Sequence, residues 1–211
     1  MKRARRSAVT EQTRAYALRA DVVASQLRSE IARVPARPHG APALVVLMGL
    51  PGVGKSHCAR LLSERLGAAH VASDELRVRL FVAASYADEE NRAVFAAAAE
   101  LVRALLAEGH RVVLDATNQR ARNREGFVAA AAAARAPVVF VRISAPDTEI
   151  RTRLIARRVA RAAHDHSEAD ETIYERMRDS FEPPAAGFIE ITNGPNVARD
   201  LERVVRAVEG A

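Results

Sequence analysis

Residues 49–58 read GLPGVGKSHC and follow directly on an uncharged run, ALVVLMG at 43–49. Gly49, Gly54, Lys55 and Ser56 satisfy the pattern G-x-x-x-x-G-K-S/T. The context that pattern needs is also present, an apolar segment of strand length before it and a helical pattern after it. Glycines let so short a loop turn successive backbone N–H groups inward, at the positive end of the following helix, where they bind phosphate oxygens. The cradle runs through Gly49, Leu50, Pro51, Gly52, Val53, Gly54, Lys55, Ser56 and His57. Lys55 would reach the β- and γ-phosphates, and the Ser56 hydroxyl would join the shell of Mg²⁺.

Lysine usage sharpens that reading. The chain carries 30 arginines and two lysines, Lys2 and Lys55, so the loop holds the core's one lysine in a sequence that otherwise uses arginine. A compact ammonium suits a crowded phosphate loop better than a planar guanidinium does. His57 and Cys58, next on the helix, read as packing positions rather than as ligands or nucleophiles.

Outward from the loop, short apolar segments alternate with helical ones. Strands are predicted at 43–48, 69–73, 111–115, 137–143 and 187–192. Helices are predicted at 54–66, 75–82, 89–108, 119–135, 147–161, 170–181 and 197–209. Short apolar strands separated by helices specify an α/β fold, a parallel sheet covered on both faces. The alanine runs at 96–99 and 129–134 are strong helix formers within it.

The first 42 residues differ in character. Val9, Tyr16, Val23, Leu27, Ile31 and Val34 fall at roughly helical spacing, and VPARPHGAP at 34–42 then stops any helix with three prolines. A basic N-terminal helix and proline-rich linker over 1–42, separated from a core over 43–211, is the expected organisation. Residues 1–42 hold nine Lys/Arg against three Asp/Glu, so they carry the whole net charge of +6, and the core is balanced. Such an arm can contact nucleic acid or acidic lipid through counterion release, and a solvated helix with a basic tip is the plainer reading. A single cysteine excludes an intramolecular disulfide. No apolar run is long enough for a membrane span, and Glu11 and Gln12 interrupt any secretory signal, so a cytoplasmic location is expected.

Ligands of open parallel sheets gather at the carboxyl ends of the strands, which draws attention to two acids. Asp115 closes the apolar RVVL segment and has the form of a Walker B carboxylate, able to orient magnesium or contact an acceptor. Asp74, in SDELR, reads either as part of a helix cap or as a general base for an attacking hydroxyl. Arg77, three residues on, shares its helix face and would clamp an anionic part of that acceptor. The arginine-dense stretch RTRLIARRVAR at 151–161 supplies charge that can be brought over a γ-phosphate, with AAHDHSEAD at 162–170 as the tip of a lid. His164 and His166 beside Asp165 read as solvated lid residues.

Taken together, GLPGVGKS, SDELR, VVLDATNQRARNR and RLIAR before SEADETIYERMRDSFEPP resemble the polynucleotide-kinase-like and zeta-toxin-like branch of small P-loop kinases, often labelled as an AAA domain. The resemblance covers roughly residues 43–210. It implies an adenylate-kinase-like P-loop NTPase sandwich with a five-stranded parallel sheet in the order 2-3-1-4-5. It further implies an ATP- and Mg²⁺-dependent phosphotransferase acting on a hydroxyl acceptor, either a small molecule or a nucleic-acid 5′-hydroxyl. By the same resemblance Asp74 and Arg77 fall on the base and arginine of a D-x-x-R pair, and Asp115 on the acid of the next block. Arg122 or Arg124 falls on an arginine that contacts phosphate or acceptor, and Arg157, with Arg161 one turn later, on the lid arginine. A motor or regulatory nucleoside-triphosphatase and a nucleic-acid-binding module using the basic arm are the competing classes. Acceptor identity and oligomeric state are not written in the sequence.

Overall fold

The computed structural model describes Val22, Ala24–Gln26, Arg28, residues 34–81, residues 87–161 (with side chains to 156), Tyr174, Met177, Arg178 and residues 180–210. Five parallel strands form one sheet: β1 Leu44–Met48, β2 Ala69–Ala72, β3 Val112–Asp115, β4 Val138–Ser144 and β5 Ile189–Thr192. Their order is β2-β3-β1-β4-β5, as the resemblance implies. The helices between them are α1 Lys55–Leu66, α2 Ser73–Leu80, α3 Asp88–Ala107, α4 Ala121–Ala133 and α5 Asp147–Arg161, with α6 Val197–Asp200 and α7 Glu202–Glu209 after the last strand.

Period-two alternation splits each strand between two cores. Leu44, Val46 and Met48 of β1, with Val112 and Leu114 of β3, pack under α2, α3 and α4 through Leu76, Leu101, Leu105 and Phe127. Val45 and Leu47, with Val113, Val141 and Ile143, pack under α1, α5 and α7 through Leu62, Leu66, Leu154 and Val204. All five residues of β1 are buried, as a central parallel strand requires. Helices on both faces of the sheet complete the three-layer arrangement that the resemblance implies.

Boundaries shift where local chemistry overrides periodicity. Helix α4 starts at Ala121 rather than 119, because Arg120, its N-cap, is extended at φ −100 and ψ 146. The predicted final helix is broken at Leu201 into α6 and α7. Much of the predicted 170–181 helix and the whole 162–170 lid tip lie outside the described residues, although Tyr174, Met177 and Arg178 are helical.

The N-terminal helix is largely outside the described residues too, but what is described binds it to the core. Ala24 is buried in the cluster formed with α2, α3 and α4, and the Arg28 guanidinium pairs with the Glu108 carboxylate just beyond α3. Among the described residues no helix is long and apolar enough to cross a membrane.

Candidate active site

The loop between β1 and α1 is built on backbone conformations that side chains would forbid. Gly49 has φ 151, and a Cβ there would stand 2.5 Å from the Ile143 carbonyl oxygen of β4. Gly54, the N-cap of α1, has φ 91, and its Cβ would meet Asn193 Nδ2 at 1.9 Å. Neither position tolerates a side chain. Lys55 opens α1 and donates from Nζ to the Leu50 carbonyl at 2.9 Å, so the ammonium lies across the loop it belongs to. Ser56 and His57 are exposed in the first turn, and Cys58 is fully buried. His57 is thus a surface residue rather than the packing position expected. Burial, with a contribution from the Asp115 charge, pushes the Cys58 thiol up to about 11. It stays protonated and acts as a small apolar group.

Asp115 is the last residue of β3, in register with Leu47 of β1 and Ala72 of β2, which places it beside the root of the loop. Its carboxylate is buried. Burial raises its pKa, but the His70 ring, the Lys55 charge and the Ser56 hydroxyl outweigh burial and hold the group below the usual carboxylate range. His70 Nε2 stands 3.5 Å from Asp115 Oδ2, an electrostatic contact longer than a good hydrogen bond. An ionised carboxylate beside a serine hydroxyl at the mouth of a phosphate loop is an oxygen donor set suited to Mg²⁺, which usually takes few protein ligands.

Helix α2 begins at Ser73 with Ala72 as its N-cap, so Asp74 lies in the first turn and capping does not account for it. Asp74 is exposed, whereas Arg77 is buried. The Arg77 guanidinium donates to Asn91 Oδ1 at 2.7 Å and lies 3.5 Å from Glu90 Oε2, joining α2 to α3. The two residues therefore do not present one solvent-facing edge.

Arg124 is buried as well. It donates to the carbonyls of Asn118 at 2.7 Å, Gln119 at 3.2 Å and Glu182 at 2.7 Å, and burial lowers its pKa. These bonds make it a strut for the segment after β3. That segment in turn supports the phosphate loop: Thr117 O accepts from Gly49 N at 3.1 Å, and Asn118 Nδ2 donates to Leu47 O at 2.8 Å. Arg122 is exposed. Arg157 lies in the last turns of α5, and its side chain, like those of Arg158 and Arg161, is outside the described residues.

Reading the sequence missed three residues that shape the site, Asn118, Asn193 and Arg153. Asn118 had a signal, since asparagine in a polar DATN segment is a common occupant of left-handed turns.

The family described as AAA domain matches residues 44–184, more than half of the chain. The chain belongs to this AAA domain family. No curated protein matches the AAA domain chain. Among solved structures, it is similar to the APS kinase CysC of Mycobacterium tuberculosis in complex with AMPPNP and APS, 22% identical over 80% of this chain and 98% of that one, with a TM-score of 0.57. It is similar to a gluconokinase from Sinorhizobium meliloti 1021, 19% identical over 80% and 95%, TM-score 0.58. It is also similar to Chaetomium thermophilum Kti12 in complex with ADP-AlF3, 20% identical over 78% and 98%, TM-score 0.54. These likenesses establish the fold of the AAA domain, whose relatives include proteins named as kinases.

Proposed function

We propose that this AAA domain is an ATP- and Mg²⁺-dependent phosphotransferase that moves a γ-phosphoryl group to a hydroxyl acceptor, a small molecule or a nucleic-acid 5′-hydroxyl. The observation that carries the reading is the convergence of a glycine-built loop, Lys55, Ser56 and the ionised Asp115 at one end of the sheet.

The residues divide the work by position. The N–H groups from Gly49 to His57 hold the triphosphate, and Lys55 exchanges its Leu50 carbonyl for the β- and γ-oxygens. Ser56 and Asp115 would hold Mg²⁺, which would supply positive charge to the bound phosphates. Asp74, exposed at the start of α2 and one residue past the neighbour of Ala72, takes the proton of the acceptor hydroxyl. Arg77 acts on the acceptor side, its guanidinium fixed by Asn91 and Glu90 so that α2 holds Asp74 in place. Arg124 serves the same side by fixing the Asn118–Gln119 segment. Arg157 brings positive charge to the γ-phosphate from α5. Catalysis of this kind is positioning and electrostatics, with no covalent intermediate on the protein.

The test is an acceptor screen with γ-labelled ATP and Mg²⁺ against pools of sugars, nucleosides and 5′-hydroxyl oligonucleotides. Label is expected on one pool, falling roughly 10² to 10⁴-fold in Asp74→Asn, the range for loss of a general base. Label released only as inorganic phosphate, at a rate no pool alters, would instead indicate a nucleoside-triphosphatase.

A further inference from the structure

We propose that Asn193 and Arg153 are positioning residues for the phosphate cradle, pinning the Val53 carbonyl outward and thereby aiming the Gly54 N–H at the β-phosphate. This rests on the nucleotide-binding reading above and adds to it two residues that lie outside the loop motif.

The geometry is convergent. Asn193 Nδ2 donates to Val53 O at 2.8 Å, from 140 residues along the chain. Arg153 Nη1 approaches the same oxygen at 3.3 Å, from 100 residues along. Each donor is itself held. Asn193 is buried, and its backbone N–H donates to Ser144 O at 2.7 Å, fixing the segment after β5 to the end of β4. The other arm of the Arg153 guanidinium is bound by Glu149 Oε2 at 2.6 Å, one turn back on α5.

A trans peptide is planar, and its C=O and N–H point in opposite directions. Fixing the Val53 oxygen toward β5 and α5 therefore fixes the Gly54 N–H toward the concave side of the loop, where cradling N–H groups meet phosphate. Gly54 at φ 91 leaves this peptide with few steric restraints of its own, so the side chains supply the restraint that the backbone lacks. The same contacts explain why Gly54 has no room for a Cβ: Asn193 Nδ2 occupies that place. Because Arg153 belongs to the helix that carries Arg157, nucleotide in the cradle and the position of α5 are joined through one carbonyl.

The prediction is specific to nucleotides with a β-phosphate. Titrate the full-length chain with ADP and with AMP, by calorimetry, for wild type, Asn193→Ala, Asn193→Ser and Arg153→Met, and record the melting temperature of each without nucleotide. Asn193→Ala and Asn193→Ser should weaken ADP about tenfold while AMP changes less than about twofold, and Arg153→Met, which removes the longer bond, should weaken ADP by a smaller factor of about three. Equal losses for ADP and AMP, accompanied by a lower melting temperature, would reduce both residues to general structural roles and overturn the proposal. Unchanged ADP affinity in both Asn193 variants would also overturn it while leaving nucleotide binding intact. A wild-type chain that binds neither nucleotide would fail at the earlier step, the cradle itself.

Discussion

Lys55 is where a single charge does most. It bonds a loop carbonyl in the structure, and in the proposed mechanism it follows the γ-phosphate into the transition state. Lys55→Ala should therefore cut transfer by about 10²-fold or more, the size typical of a preorganised electrostatic contact, with the protein still folded. Turnover within about tenfold of wild type in a γ-label assay would remove Lys55 from the mechanism. Cys58 should be unreactive in the folded chain. Fully buried and protonated, it should resist a water-soluble disulfide reagent at pH 8 in the native chain and react promptly in denaturant. At this scale the phosphate loop was legible because its pattern is contiguous, and Asp115 because it ends an apolar run. Asn193 was not, since the atom it bonds lies 140 residues away and nothing local marks it, and the DATN segment marks Asn118 as a turn residue without showing that it bonds Leu47, 71 residues away. Arg124 was legible as important but not in kind: its partners are backbone carbonyls, which no sequence pattern displays.

Among elements, α2 and α3 form the wall on which Asp74 stands. Their joint depends on Arg77 with Asn91 and the buried Glu90. Removing one partner of a buried pair strands the other charge, so Arg77→Met should lower stability by about 3 to 5 kcal/mol. Urea unfolding measures this directly, and an unchanged midpoint would show that Glu90 finds other compensation. The central strands β1 and β3 were readable because parallel strands buried on both faces appear as nearly uninterrupted apolar runs, whereas the edge strand β5, Ile189–Thr192, is apolar only at alternate positions. The start of α2 was misjudged by two residues because Ser73 and Asp74 favour caps, and here the helix absorbs them. The break at Leu201 has no marker in an otherwise helical apolar pattern; that leucine is fully buried in the core under β4 and β5.

For the whole molecule, the described residues of the N-terminal segment touch the core at Ala24 and Arg28. Ala24 is buried against α2, α3 and α4, so Ala24→Glu places a charge in an apolar setting. A loss of more than about 2 kcal/mol is expected, and a melting curve identical to wild type would release the arm from the core. Prolines at 35, 38 and 42 make residues 1–42 read as an arm and a linker, and the burial of a single alanine leaves no signature in the sequence. The larger claim concerns the division of the site into two sides, with β1, α1 and β3 holding Mg·ATP and α2 facing the acceptor. It is tested most directly by Mg·ATP affinity across a magnesium titration for wild type, Asp115→Asn and Asp74→Asn. The account predicts a magnesium midpoint shifted to higher concentration in Asp115→Asn, because a carboxylate in the ion's shell is tied to its charge, and a midpoint unchanged in Asp74→Asn. A shift in Asp74→Asn with none in Asp115→Asn would exchange the two roles and contradict the account.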